Sequence, residues 1–352
     1  MADGFVLGRG AWDNKSNGFS LLEAMENLIK TGYKPHQTIY FFMGADEEVN
    51  GLHGAKMAAA MLAKRGVKLE FLMDEGMVIA KDLIPGVKQP VALIALAQKG
   101  YISVRRSVDV DRVGYSSMPP RESVIGVLSA WLSRLEKDPL PERRDGLPLA
   151  MMETLAPEMP MSIRVVMSNL WLFKPIVIKA LAKSDPSRAQ LHTTTALTVV
   201  NGGIKDNVLP GHVEAKVNFC IMPGDTTESV LEHVRNTLAD PRIQVAKDGI
   251  AIDPSRVSSA GTEAYRCMER AVRQVYPYTL VSPGLFSAFG DAEYFEDVAQ
   301  DIHRFSPIPV MAADAELFHG LNERMNIADY IQMIRFYRQL LLNMAEPAGK
   351  GS

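Results

Sequence analysis

Residues 41–51 read FFMGADEEVNG, and the change of character within this stretch decides how the chain folds. The apolar run from Thr38 to Met43, TIYFFM, has the composition of a buried strand. Three consecutive acids, Asp46, Glu47 and Glu48, follow it closely. A solvated loop would explain them, since most charged residues face water. A functional site would explain them too, because ligands collect at the carboxyl ends of the strands in parallel sheets.

The segments on both sides of this stretch predict alternating helices and strands. The predicted elements are a helix over residues 19–29, a strand over 38–43, a helix over 54–64 and a strand over 69–74. A strand, a helix and a second strand within this length form a βαβ unit, whose strands are parallel. We therefore expect the segments 38–43 and 69–74 to be neighbours in one sheet.

Acidic residues would then meet at one edge of that sheet. Glu47 and Glu48 follow the first strand and Asp74 ends the second, and neighbouring strands lie only about 4.8 Å apart. Carboxylates at this distance raise one another's pKa unless a cation neutralises them. Asp13 also follows a glycine-rich turn and precedes a helix, and His319 could supply a nitrogen ligand. The pattern therefore predicts a metal site.

Each of these residues also has a purely structural interpretation. Acids favour the amino termini of helices, so Asp13 and Asp74 could be helix caps. His319 could be an ordinary loop histidine. Asn207, in the sequence KDNVLPG, could simply form a turn before Pro210.

The pattern changes at about Lys99, where longer strands with hairpin-like returns begin. Residues 99–257 predict the element order βαββαβ, which is typical of one sheet covered by two helices. A segment rich in Pro and Met near 138–190 is too long for a loop and is expected to carry its own helices. We predict an α/β fold in which residues 1–98 and 258–352 form a catalytic domain with a mixed, mostly parallel sheet and flanking helices. Residues 99–257 form an inserted α+β lid.

Composition narrows the function classes. The 41 acids and 38 bases give a net charge of -3 without long runs of one sign, so nucleic acid is not an expected partner. The two cysteines are far apart in the sequence and do not form a CxxC motif, so neither a disulfide framework nor a cysteine zinc site is indicated. The apolar stretch 169–182 is interrupted by charges and is too short to span a bilayer. Small molecules or peptides are the expected partners. The compartment is not fixed: no signal segment is visible, which favours the cytoplasm by default and export if residues precede Met1.

Several motifs together resemble a known family. They are GRGAWDNK, GADEEVNGLHGA, FLMDEG, GYSSMPPRES, TTTALTVVNGGIKDNVLPG, NFCIMPGDT and HGLNERM. In this order, along nearly the whole chain, they resemble the motifs of one family of zinc-dependent exopeptidases and amidases. Carboxypeptidase S, aminoacylase, glutamate carboxypeptidase and acetylornithine deacetylase are members of that family. The resemblance implies two zinc ions, hydrolysis of a peptide or an N-acyl amino acid, and a homodimer formed through the lid.

The resemblance also implies roles for the residues of the predicted metal site. Asp13 matches the carboxylate that bridges the two zinc ions, Glu48 and His319 match ligands of one ion, and Asp74 matches a ligand of the other. Glu47 matches the general base. These residue types suit zinc, which binds nitrogen and oxygen ligands and lowers the pKa of bound water.

The substrate-binding positions depart from the family pattern. Tyr115 stands where the family has a lid histidine that helps bind the oxyanion, and Cys220 stands where it has an arginine that binds a substrate carboxylate. Gly290 occupies the first position of a turn that is usually Thr-Asp-Ser. Asn207 matches a residue that contacts substrate from the lid.

The upstream His-x-Asp segment of the family is not found before Asp13, so one zinc site lacks its histidine and the chain is expected to be truncated at its amino terminus. Two hypotheses follow. The chain is a zinc-dependent peptidase or amidase, or it is a catalytically impaired relative or fragment that keeps the fold and at most one zinc.

Overall fold

The computed structural model describes residues 4–110, 114–143, 145–237 and 243–345, which form a mixed α/β fold. The strands are β1 (Phe5–Leu7), β2 (Leu69–Ala80), β3 (Val91–Gln98), β4 (Gly100–Asp109), β5 (Thr194–Gly202), β6 (His212–Ile221), β7 (Ile243–Ile252), β8 (Leu280–Phe286), β9 (Ala299–Val310) and β10 (Arg324–Asn326). The helices are α1 (Lys15–Lys30), α2 (Ala55–Lys64), α3 (Val124–Lys137), α4 (Leu147–Leu155), α5 (Met161–Ser168), α6 (Leu170–Leu181), α7 (Asp185–Ala189), α8 (Thr227–Asn236), α9 (Glu263–Val275) and α10 (Ile327–Met344).

One four-stranded sheet has the order β2-β9-β3-β8 and supports most of the candidate site. Its two long ladders, β2–β9 and β3–β8, are parallel, and the two pairs meet through short antiparallel contacts. β3 reads VALIALAQ and is buried along its whole length, as expected for a central strand covered on both faces. Helices α1, α9 and α10 contribute Ala24, Met268 and Phe336 to the core against this sheet. The predicted mixed sheet with flanking helices is confirmed.

A second sheet, in the order β5-β6-β4-β7, is antiparallel throughout. Alternate residues of β4 and β6 are buried, which is typical of a sheet with one face on a core. The core beneath it includes Trp131 of α3, Phe219 of β6 and Val234 of α8. The predicted order of strands and helices over 99–257 is observed, and the 138–190 segment carries α4 to α7, as expected. The division into a catalytic domain and a lid stays a prediction.

The predicted strand over 38–43 is wrong. These residues pair with no strand of the described chain, and Tyr40, Phe42 and Met43 are exposed. The parallel neighbour of β2 is β9, more than two hundred residues further along the chain, so the predicted βαβ unit is also wrong. An apolar run indicates burial but does not identify the neighbour that would supply the ladder hydrogen bonds.

Among the described residues no single helix is long and apolar enough to cross a membrane. The helices α5 and α6 reach that length and composition only when taken together, and the chain bends by 118° between them.

The buried Trp131 gives a test of the second sheet's core. Its ring lies 4.8 Å from the guanidinium carbon of the buried Arg106, whose Nε and Nη1 have no hydrogen-bond partner among the residues that the structure describes. We expect Trp131→Ala to lower the free energy of unfolding by about 3–5 kcal/mol, because it leaves a cavity and removes the ring that faces this cation. Urea unfolding followed by far-UV circular dichroism measures the change.

The matched control is Trp171→Ala, since Trp171 is 81% exposed. This substitution should change the free energy of unfolding by no more than about 0.5 kcal/mol. Equal effects of the two substitutions would contradict the assignment of Trp131 to the core.

Candidate active site

Asp13, Glu48 and His319 converge on one point although they span most of the chain. His319 Nε2 lies 2.6 Å from Asp13 Oδ2 and 3.3 Å from Glu48 Oε1. One ligand atom from each residue lies within 4.8 Å of the other two, which is the arrangement of a group that could hold a metal ion. Three of the four predicted metal ligands are therefore brought together, and their roles as ligands stay a prediction.

Glu323 positions two of these three residues, and it was missed by the sequence analysis. Its carboxylate accepts hydrogen bonds from the backbone N–H groups of Trp12 at 2.9 Å and Asp13 at 3.0 Å. Its other oxygen pairs with Arg9 at 2.9 Å, and the same guanidinium donates to the carbonyl of His319 at 3.2 Å. The available signal was its place in the motif HGLNERM, four residues after His319.

The three acids of the quoted stretch have different positions. Asp46 is structural, because its Oδ2 accepts hydrogen bonds from the backbone N–H groups of His53 at 2.8 Å and Gly54 at 3.1 Å, at the start of α2. Glu47 and Glu48 lie on a short 3₁₀ turn that ends at Val49. Burial raises the pKa of Glu47 to about 7, and the charge of Asp291 adds to that effect.

Asp74 is held at the edge of the same site, outside the three-residue metal group. Its Oδ2 accepts a hydrogen bond from Ala292 N at 2.9 Å and its Oδ1 from Glu75 N at 2.9 Å. Burial raises its pKa, although these hydrogen bonds and Arg304 oppose the shift. Gly290 packs against it, since a Cβ at that position would lie 3.7 Å from Asp74 Oδ2.

Two more acids crowd this region, and neither was singled out from the sequence. Burial raises the pKa of Glu75 to about 9, with Asp74 and Asp13 adding to the shift, and Asn14 donates a hydrogen bond to its carboxylate. Burial also raises the pKa of Asp291 to about 6, and its Oδ1 is buried with no hydrogen-bond partner in the described part of the chain. So many carboxylates disfavour one another's charge, and this donor set of oxygens with one imidazole fits a zinc ion.

Three of the four substrate-binding candidates lie in the second sheet and its loops, and the fourth, Gly290, lies beside Asp74. Tyr115 and Asn207 are brought together, because Asn207 Nδ2 donates a hydrogen bond to the Tyr115 hydroxyl at 3.2 Å. Cys220 lies on β6 between Thr194 of β5 and Tyr101 of β4, and its thiol is 3.9 Å from Asn218 Oδ1. No described contact joins these residues to the metal group.

A buried lysine, Lys99, lies close to Cys220 and was also missed. Its ammonium donates hydrogen bonds to the carbonyls of Ala189 and of His192, the latter at 3.0 Å. Burial lowers the pKa of Lys99 to about 8, while the charges of Cys220 and Asp225 act to raise it. A cation is therefore present near the position where the resemblance leads one to expect an arginine.

A cavity of about 630 Å³ lies between helix α4, the turn after β6 and strand β8. Its lining is mainly apolar and includes Leu147, Pro148, Leu149, Ala150, Met222, Val257 and Leu285, with Arg143, Asp145, Glu153 and Lys174 as charged members. Leu285, one of the lining residues, lies on β8. It precedes Phe286, whose ring would lie 3.8 Å from a Cβ built on Gly290.

The sequence profile of peptidase family M20/M25/M40 matches residues 1–343. N-fatty-acyl-amino acid synthase/hydrolase PM20D1.1 of Danio rerio is 39% identical over 344 residues, covering 97% of this chain and 66% of that protein. N-fatty-acyl-amino acid synthase/hydrolase PM20D1 of Homo sapiens is 36% identical over 347 residues, covering 97% and 68%. The probable carboxypeptidase S-like 2 of Dictyostelium discoideum is 34% identical over 344 residues, covering 97% and 66%. The chain thus spans about two thirds of the length of these curated relatives.

Solved structures show the same fold at low sequence identity. Human carnosine dipeptidase 1 superposes with a TM-score of 0.65 at 17% identity, covering 98% of this chain and 74% of that chain. The M20 family metallo-carboxypeptidase Sso-CP2 from Sulfolobus solfataricus gives a TM-score of 0.63 at 16% identity, covering 98% and 79%. These similarities confirm the architecture.

The arrangement of Asp13, Glu48 and His319 predicts that zinc affinity depends on His319. We expect His319→Ala to weaken zinc binding at least about 10-fold, because it removes the nitrogen donor that lies between Asp13 and Glu48. Titration calorimetry on the metal-stripped chain measures the affinity. The control is His36→Ala, an exposed histidine outside the group. Zinc affinity that is the same in both variants and in the unchanged chain would contradict the assignment.

Proposed function

Because the chain belongs to peptidase family M20/M25/M40, we propose that it hydrolyses the amide bond of an N-acyl amino acid or a short peptide with the aid of zinc. The observation that carries the proposal is the convergence of Asp13, Glu48 and His319, with Glu47 adjacent in the chain. The similarity to proteins named N-fatty-acyl-amino acid synthase/hydrolase supports an N-acyl amino acid, and not a peptide, as the proposed substrate.

In this proposal Asp13, Glu48 and His319 would hold one zinc ion, and Asp74 would be a ligand of a second. When bound, zinc lowers the pKa of a water molecule and polarises a carbonyl oxygen. The acidic surroundings give this site its affinity for a cation, since several buried carboxylates otherwise oppose one another.

Glu47 is proposed to move the proton. It follows Asp46, whose hydrogen bonds to the start of α2 fix the loop, and it precedes Glu48 in the same turn. A carboxylate held in this way can take the proton of the attacking water and return it to the leaving amine. Proton transfer by a positioned side chain typically contributes about 10²- to 10⁴-fold to the rate.

Tyr115 and Asn207 are proposed to bind substrate from the second sheet. Their mutual hydrogen bond uses one Asn207 donor, and the Tyr115 O–H can still donate to a developing oxyanion. A homodimer through this part of the chain is also proposed. Edge strand β5 is exposed along most of its length and carries the exposed Val200, and an unpaired edge of this kind favours pairing with another chain.

The apolar cavity is proposed to receive the acyl group of the substrate. Its volume lies within the range typical of small-molecule sites, about 300–1,000 Å³. Its lining residue Leu285 is followed on β8 by Phe286, which lies near Gly290, the glycine beside Asp74. A long hydrocarbon chain buried there would gain about 0.8 kcal/mol for each methylene removed from water.

A second candidate function is a catalytically impaired relative that binds at most one zinc. It is favoured by the single three-residue metal group among the described residues and by the replacements at Tyr115 and Cys220. Zinc content and turnover separate the two candidates, since two zinc ions with turnover support the hydrolase and one or none without turnover supports the impaired relative.

The role of Glu47 is tested with Glu47→Gln. We expect hydrolysis of N-palmitoyl-leucine to fall by about 10²- to 10⁴-fold while zinc binding persists, because the amide side chain cannot accept the proton. Release of leucine measures the rate, and the exposed Glu23→Gln serves as the control. Undiminished activity of Glu47→Gln would disprove the general-base role.

The acyl cavity is tested with Val257→Trp. Val257 lines the cavity but is half exposed, so a larger side chain can narrow the space without disrupting the core. We expect kcat/KM to fall at least about 10-fold for N-palmitoyl-leucine and to change little for N-acetyl-leucine. Ile29→Trp, at an exposed position of α1, is the matched control. Equal losses for both substrates would remove the cavity from the proposed substrate site.

A further inference from the structure

Helices α5 and α6 expose large apolar side chains that the proposed hydrolysis does not use. Met161 and Val165 lie one turn apart on α5, and Leu172 and Ile176 lie one turn apart on α6. Trp171, at the start of α6, is 81% exposed. We call these five residues the α5–α6 surface. Isolated exposed apolar residues are ordinary, but a set of this size on two adjoining helices marks an interaction surface.

The opposite sides of both helices pack into the protein. Met167, Leu170 and Val177 form a buried cluster with Leu149 and Ala156 of the preceding segment. The helices are therefore fixed by their inner sides, and the α5–α6 surface has no core to join within the described chain.

The charges within α5, α6 and the turn after α6 have one sign, and acids appear only beyond them, at Glu158 and Asp185. Residues 159–184 contain four bases, Arg164, Lys174, Lys179 and Lys183, and no acid, within a chain whose net charge is -3. Arg164, Lys179 and Lys183 are exposed. Cationic side chains around a set of apolar side chains are complementary to a partner that has anionic groups at its surface and apolar groups beneath them.

We infer that the α5–α6 surface binds an anionic phospholipid membrane, with the two helices lying in the plane of the headgroup region. Exposed Trp and aliphatic side chains enter the boundary between headgroups and acyl chains, and Lys and Arg reach the phosphates with their long side chains. The bend of 118° between the two short helices suits this position, because each can lie along the surface instead of crossing it. The inference does not depend on the proposed hydrolysis.

The test is co-sedimentation of the full chain with phospholipid vesicles. We expect binding to vesicles of phosphatidylcholine and phosphatidylserine, weaker binding to phosphatidylcholine alone, and loss of the difference at high salt. With brominated phospholipids in the vesicles, tryptophan fluorescence should be quenched. Trp171 is the exposed tryptophan, since Trp12 and Trp131 are buried.

Two double variants locate the binding surface. Trp171→Ser with Ile176→Ser should weaken vesicle binding at least about 10-fold, because it removes two side chains that enter the lipid. Lys179→Glu with Lys183→Glu should remove the preference for phosphatidylserine. The matched control, Ile29→Ser with Met57→Ser, replaces two exposed apolar residues of α1 and α2 and should bind as the unchanged chain does. Circular dichroism confirms that each variant is folded.

Three outcomes would overturn the inference. The first is that the folded, unchanged chain does not bind either kind of vesicle. The second is that the control and the Trp171→Ser, Ile176→Ser variant lose binding equally. The third is that the Trp171→Ser, Ile176→Ser variant is a monomer by light scattering where the unchanged chain is a dimer, while its vesicle binding is unchanged. That result would assign the α5–α6 surface to contact with a second copy of the chain.

Discussion

The carboxylate of Glu323 joins the beginning and the end of the described chain, and the candidate site depends on this interaction. It receives two backbone N–H groups from the loop that carries Asp13 and an ion pair from Arg9, which in turn holds the loop of His319. Burial acts to raise the pKa of Glu323, but these hydrogen bonds prevail and lower it. The group is thus held in its charged form, so the two loops stay at the separation that brings Asp13 Oδ2 and His319 Nε2 to 2.6 Å.

The candidate site, which Glu323 helps to position, brings several acidic side chains together in a largely buried environment. Glu47, Asp74, Glu75 and Asp291 all have pKa values raised chiefly by burial. A protein gains no folding stability from collecting acids in this way, so the arrangement is typical of a functional site that is completed by a cation. The sheet that carries this site is stabilised by the apolar packing of its central strand β3 against α9 and α10.

Periodicity and turn residues predicted many elements of this chain, and proximity in space was harder to predict. Helices α1 and α2 and strand β2 follow from apolar spacing, and so do the elements of the second sheet. The strand predicted over 38–43 is wrong because pairing depends on a neighbour that a local pattern does not reveal. Asp13 and His319 lie 306 residues apart, and their residue types made both candidate ligands without showing that they meet. Glu75 and Glu323 were missed because the burial of an acid leaves no trace in composition or spacing.

Helix α6 has two sides with different surroundings, and Lys174 lies on the side that faces the cavity. This residue lines the apolar cavity, while the outward side of the same helix carries Trp171 and Ile176. In a chain seated on a bilayer by that outward side, the cavity would lie across α6 from the lipid, about one helix diameter or 10–12 Å away. Amphiphilic molecules dissolved in the bilayer would then come within this distance of the cavity by lateral diffusion, so that their density per unit membrane area, and not their aqueous concentration, would set the rate of encounter.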